Sequence, residues 1–288
     1  MKREPRAVKA ARTITPILWL VIMMNAARAD WRIDFETGAL YDSNLSNSDR
    51  AREEEADFSW QSDLQFGQGF QLSRDLRLNL AAQVHGQVWS QYDAFNNVRP
   101  GAAAGLRYRF GLGRMAPWVL LEDRVGYAVF HEDERSGLDN RLNVRAGLAI
   151  TERLAVEVAY TFDVFDGKDS FWDLSGHTGS IRITFDATSS LQLALGFSHR
   201  EGEVFSYALP PRPDIVALAA ESKPVGSFDR PPYTAYRVDG STNAFSASAG
   251  YILSRNISVQ VNYEFRHTAS GSLKYENHLV EARIVFAY

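Results

Sequence analysis

The chain has 288 residues, 45% of them hydrophobic and 12% aromatic, with no cysteine and a formal charge of −4. That apolar fraction excludes a disordered chain, and a mean hydropathy of −0.26 excludes a bundle of membrane helices. The lack of cysteine excludes disulfides, thiolate metal sites, a cysteine nucleophile and a lipid-modified cysteine anchor.

Residues 1–29 read as a signal peptide. Lys2, Arg3, Arg6, Lys9 and Arg12 give a basic start, and Ile14 to Met24 is an apolar stretch too short to span a bilayer as a helix. Ala27-Arg28-Ala29 is a small-x-small cleavage site, so residues 30–288 are expected to form one mature domain. The leader carries six basic residues and one acidic one, and its removal takes the formal charge from −4 to −9. A chain that acidic is not expected to bind nucleic acid.

From Asp30 onward the recurring pattern is period-two alternation, the mark of a strand with one apolar and one polar face. Trp31, Ile33 and Phe35 alternate with Arg32, Asp34 and Glu36. The pattern returns in Phe58 to Phe66, Leu78 to Val88 and Ala104 to Phe110. Trp118 to Phe130 and His177 to Phe185 alternate less cleanly, whereas Leu142 to Ile150, Leu154 to Phe162 and Leu191 to Phe197 are regular. Phe245 to Tyr251, Ile257 to Phe265 and His278 to Tyr288 complete twelve segments.

The connections sort by length. Brief ones follow every second segment, at 67–75, 111–117, 151–153, 186–190 and 253–256. Mostly longer, more polar ones lie between, at 42–56, 91–100, 131–140, 166–176, 201–241 and 267–273. Short turns on one side and tall loops on the other predict an all-β fold: a transmembrane antiparallel up-and-down β-barrel of about 12 strands, with short periplasmic turns and long extracellular loops. Backbone in lipid must be paired, so such a sheet has to close. Aromatic residues near segment ends, Trp31, Tyr41, Trp89, Tyr92, Trp118, Tyr127 and Tyr263 among them, fit interfacial girdles.

The chain ends in Tyr288, with Phe286 two residues before it. This resembles the terminal-strand signature of bacterial outer-membrane β-barrel proteins, which end in an aromatic residue, usually Phe. The resemblance implies residence in the Gram-negative outer membrane, among its lipid and lipopolysaccharide. It also implies Phe286 and Tyr288 as the signal read by the barrel-assembly machinery. Tyr41-Asp42-Ser43-Asn44-Leu45 looks like segments of exporter-associated barrels.

If the apolar faces meet lipid, the polar faces line a lumen. They carry Arg32, Asp34, Glu36, Arg107, Arg109, Arg145, Glu157, Arg182, Glu264, Arg266, Glu281 and Arg283, with both signs mixed. The expected function is therefore a pore or passage channel for a small solute or an exported molecule, with these charges tuning it. An interlocked salt-bridge network filling a narrow barrel fits the same residues. The proline-rich stretch from Glu201 to Ser241, with a helix-compatible run at Asp214 to Glu221, is expected to constrict the lumen or cover the mouth.

Two alternatives are carried. His267, Ser270 and Glu276 flank the last outer loop and are loosely similar to the His, Ser and Glu of barrel lipid A deacylases. That similarity implies a hydrolase acting at the outer leaflet. The residue two after His267 is Ala269, where that family has Ser. A structural or adhesive barrel presenting its loops is the third reading. The acidic runs 53–55 and 132–134 are expected to be solvated loop, with divalent cations bridging lipopolysaccharide as the other reading. No phosphate loop, zinc motif, EF-hand or G-x-S-x-G occurs, so neither cofactor nor metal is expected.

Overall fold

The computed structural model describes residues 30–113, 115–228 and 232–288. The expected leader and its cleavage site lie outside them. Among the described residues thirteen strands form: β1 (Asp30–Asp42), β2 (Asp57–Gln71), β3 (Leu76–Trp89), β4 (Asn97–Arg109), β5 (Trp118–Phe130), β6 (Gly137–Ala149) and β7 (Leu154–Gly167). They continue with β8 (Leu174–Asp186), β9 (Leu191–Ala208), β10 (Ala219–Val225), β11 (Tyr233–Ile252), β12 (Ile257–Ser270) and β13 (Leu273–Ala287). All but β10 form a closed antiparallel barrel of twelve strands, in which β11 follows β9 and β13 returns to β1. Closure leaves no edge, the condition lipid imposes.

The seam shows how sequence sets register. Phe35 faces Phe286 across β1 and β13, and their rings stack at 5.9 Å. Ile33 and Tyr288 exchange both backbone hydrogen bonds at 2.9 Å, so the last residue seals the sheet. The apolar phase of each strand points away from the barrel and stays exposed, as at Trp60, Leu195 and Val261. The opposite phase is polar and lines the interior cavities. A one-residue slip would exchange the two phases, so the alternation itself fixes the register.

One lipid-facing position breaks the rule. Asp123 shares the phase of Leu121 and Val125, sits between Ala104 and Leu142, and takes one hydrogen bond of 3.3 Å from Asn140. The irregular alternation of the segment from Trp118 to Phe130 has this as its cause. Trp118 itself points inward under the Arg107 guanidinium, 4.5 Å from the ring centroid, while Trp89 and Tyr92 are buried. These three belong to the interior rather than to a lipid girdle.

The outer connections differ from expectation in extent. β9 runs to Ala208 and β11 starts at Tyr233, so most of the expected loop from Glu201 to Ser241 is strand. The last hairpin turns in two residues instead of a longer loop. Alternation reads only the part of a strand that meets lipid. Beyond it the ladder continues with polar residues and leaves no period-two mark. The expected helical run at Asp214 to Glu221 is a single turn, α1 (Pro213–Val216), followed at once by β10.

Candidate functional site

The described residues with the densest burial are not in the barrel wall but across its outer mouth. Residues Thr234–Val238 of β11 pair with β9 on one side and β10 on the other, beyond the end of β12. This three-stranded flap reaches every other outer connection. The Tyr207 backbone N–H donates to the Ser46 carbonyl (2.8 Å), and Asn47 Nδ2 donates to the Phe205 carbonyl (2.9 Å). Lys223 bonds Asp169 at 2.7 Å and also Glu134, and Leu218 lies against Gly271 of the last hairpin. Tyr92, Phe171, Trp172, Tyr207, Phe228 and Tyr233 form one buried core; Ile215, Tyr236, Val238, Leu273 and Tyr275 form a second. Water-excluding contacts of this kind hold a flap in place.

Two buried arginines fasten it. The Arg212 side chain has no exposed surface and bonds Asp49 (2.8 Å) and Asp214 (2.8 Å), with Glu53 at 3.6 Å. Burial works against its charge, but the hydrogen bonds to Asp214 and Asp49 outweigh that and hold its pKa above the ordinary value. The same hydrogen bond from Arg212 pulls the Asp214 pKa down to about 2. Arg135 lies over the Trp172 ring at 4.1 Å and the Phe95 ring at 4.6 Å, and donates to Tyr207 Oη at 2.8 Å.

The acidic run at 53–55 is therefore not plain solvated loop. Glu53 and Glu55 are buried, and Glu55 accepts from Tyr92 Oη (2.6 Å) and Tyr233 Oη (2.8 Å). Glu53 closes a short 3-10 turn and Glu54 is extended and exposed between the two. In the second run Glu132 pairs with Arg135, Asp133 with Lys168 and Glu134 with Lys223. Among the described residues no cluster of three metal-ligating side chains forms.

Below the flap the interior is divided by charge. Around the seam the carboxylates and cations are matched: Arg32 with Asp34 (2.6 Å), Arg266 with Glu264 (2.5 Å), and Arg283 with Glu36 (3.1 Å) and Glu281 (2.5 Å). The facing wall is less evenly matched: Glu122 serves both Arg124 (2.8 Å) and Arg145 (3.8 Å). A cavity of about 330 Å³ near the short-turn end is lined by Arg107, Arg109, Arg145 and Arg182 with Glu157 as its one carboxylate. Arg107 and Arg145 each have a buried Nε donor with no hydrogen-bond partner among the described residues.

His267 and Glu276 stand opposite each other at 3.4 Å on the outer face, in one row with Asn243 and His199. Ser270, three residues beyond His267, falls on the inner face and is buried beneath the flap. An odd spacing along a strand puts two side chains on opposite faces. The structure thus separates the Ser270 hydroxyl from the His267–Glu276 pair.

Sequence reasoning passed over Arg99, Arg124 and Arg141. They line the interior at mid-height around a cavity of about 240 Å³, with Asp63, His85 and Asp139. Extending the apolar phase of Leu142 back to Leu138 would have turned Arg141 inward. Pro100 and outward-facing Asp123 hide the phase at the other two.

This geometry, a closed twelve-stranded sheet with an apolar outside, a charged inside and a lidded mouth, is that of a transmembrane β-barrel. No protein-family model and no curated protein matches the chain. Among solved structures it is similar to the COG4313 outer membrane channel from Pseudomonas putida F1, with a TM-score of 0.59 and 13% identity over 90% of this chain and 95% of that one. It is more distantly similar to the KdgM porin in complex with disordered oligogalacturonate (TM-score 0.47, 9% identity, 89% of this chain and 99% of that one). The CymD monoaromatic hydrocarbon channel stands at the same TM-score (0.47, 9% identity, 90% of this chain and 88% of that one). The first of these likenesses supports the fold: a closed antiparallel β-barrel.

Proposed function

We propose that the protein is a gated diffusion channel for small solutes with a preference for anions. The observation that carries this reading is the cavity in which four arginines face one carboxylate, with two guanidinium donors left unsatisfied. Arg109 and Arg182 are exposed in it, and their guanidinium groups offer a passing anion charge-assisted hydrogen bonds. Concentrated positive charge in a low-dielectric tube raises the local anion concentration and sets a barrier to cations. The matched charges at the seam stiffen the opposite wall and add little net field. The flap across the mouth supplies the gate.

Planar-bilayer recording tests this. In a salt gradient the reversal potential should have the sign of chloride permeation, and openings should be brief because the flap closes the mouth. A reversal potential of the potassium sign sinks the selectivity. A barrel that stays silent even with its flap unlatched sinks the channel.

A further inference from the structure

Between the flap core and the mid-height arginines lies a second cavity, of about 270 Å³. Its upper walls are Phe95, Phe165, Trp172 and Phe205, and its lower walls include Arg99 and Arg141. Arg99, Asp139 and Arg141 also line the polar cavity at mid-height, so a solute leaving the aromatic chamber enters the polar one past these side chains.

Two groups of this chamber have unmet needs. Trp172 is 3% exposed, and its indole Nε1 donor has no partner among the described residues. The chamber's other charges are compensated: Arg99 by Asp139 (3.4 Å), Asp163 by Arg200 (2.7 Å), and Arg135 by Glu132 (3.0 Å) and three aromatic rings. No ion pair forms at Arg141 among the described residues. A buried donor and an uncompensated cation, set against rings that offer only apolar and face contacts, define the complement. It has an apolar body, one negative charge and an oxygen acceptor.

We infer that this chamber is a binding site for a small organic carboxylate with an apolar body, held by Arg141 and Trp172 beneath the flap. The inference rests on the channel reading and adds a solute class to it. Carboxylate suits a guanidinium through two parallel N–H···O bonds. The aromatic walls reward burial of the body. An inorganic anion meets only the first demand and a neutral alcohol only the second.

The test uses the whole barrel with benzoate as probe, acetate and benzyl alcohol as controls, and two readouts. In planar bilayers benzoate should block the chloride current, while acetate and benzyl alcohol at equal concentration should not. By calorimetry on the detergent-solubilised protein benzoate should bind at one site. Arg141→Gln should weaken both effects about tenfold or more, because a charge-assisted pair is lost. Trp172→Phe, which keeps an aromatic ring but removes the indole N–H, should weaken them roughly five- to tenfold, the value of one hydrogen bond.

Block and binding that persist unchanged in Arg141→Gln overturn the site. So does equal block by acetate, which would show that the apolar walls take no part. Undiminished binding in Trp172→Phe removes the indole donor and with it the assignment to this chamber. A barrel that conducts chloride but neither binds nor responds to benzoate loses the site and keeps the channel. A barrel that conducts nothing yet binds benzoate in an Arg141-dependent way keeps the site and loses the channel.

Discussion

Arg212→Ala is expected to raise the mean conductance of the barrel several-fold while leaving the barrel itself intact. Arg212 is the buried cation between the flap and the first outer loop, bonded to Asp49 and Asp214 with Glu53 at 3.6 Å. Its removal leaves Glu53, whose side chain is fully buried, without its fully buried counter-charge, the more exposed Arg50 and Arg52 remaining at 3.4 Å. Losing one partner of a buried ion cluster costs about 3–5 kcal/mol. That cost falls on the docking of the flap, because the twelve-stranded ladder below it is paired independently of Arg212. Single-channel recording measures the opening, and heat-dependent migration on gels reports the barrel. Unchanged conductance with a folded barrel would show that the flap is not the gate.

The same latch fixes a pH dependence. The pKa of Asp214 is held at about 2, below its unfolded value of about 3.9. A depressed carboxylate pKa contributes stability that is complete above the unfolded value and lost as pH falls through the folded one. The gate should therefore behave alike from neutral pH to about 5 and loosen between about pH 4 and pH 2. Loosening as pH rises toward neutrality would contradict the latch.

The second large effect is expected from Arg107→Glu, Arg145→Glu and Arg182→Glu combined. These residues line the cavity with Arg109 and Glu157, so its formal charge goes from +3 to −3. Selectivity in a wet pore follows the sign of the lining charge. The reversal potential in a salt gradient should change sign, from chloride to potassium. Lumen-facing substitutions tune selectivity without touching the lipid face, so the variant barrel should still assemble. A reversal potential that keeps its sign would place the selectivity elsewhere, at the mid-height arginines Arg99, Arg124 and Arg141.

Much of this was legible residue by residue. The segment from Ile257 to Phe265 alternates without a fault, and β12 holds that phase in its pairing with β13. Arg109, Arg145, Glu157 and Arg182 follow from counting twos away from lipid-facing leucines and valines. The count failed where one residue breaks the lipid code: at Asp123, which faces outward with a charge, and at Pro100, which has no N–H to give the ladder. It failed again beyond the membrane, where Glu53 and Glu55 read as solvated charge and are buried.

By itself, then, the sequence determined a closed sheet with a greasy outside and a charged inside, because lipid enforces period two on every strand that crosses it. Only the tertiary structure decided that the outer mouth is lidded, that Arg212 and Arg135 fasten the lid, and that Arg141 and Trp172 share one chamber. Those contacts join residues as far apart in the chain as Asn47 and Phe205. The lid contacts lie beyond the lipid-facing part of the strands, where no period-two constraint is written into the chain.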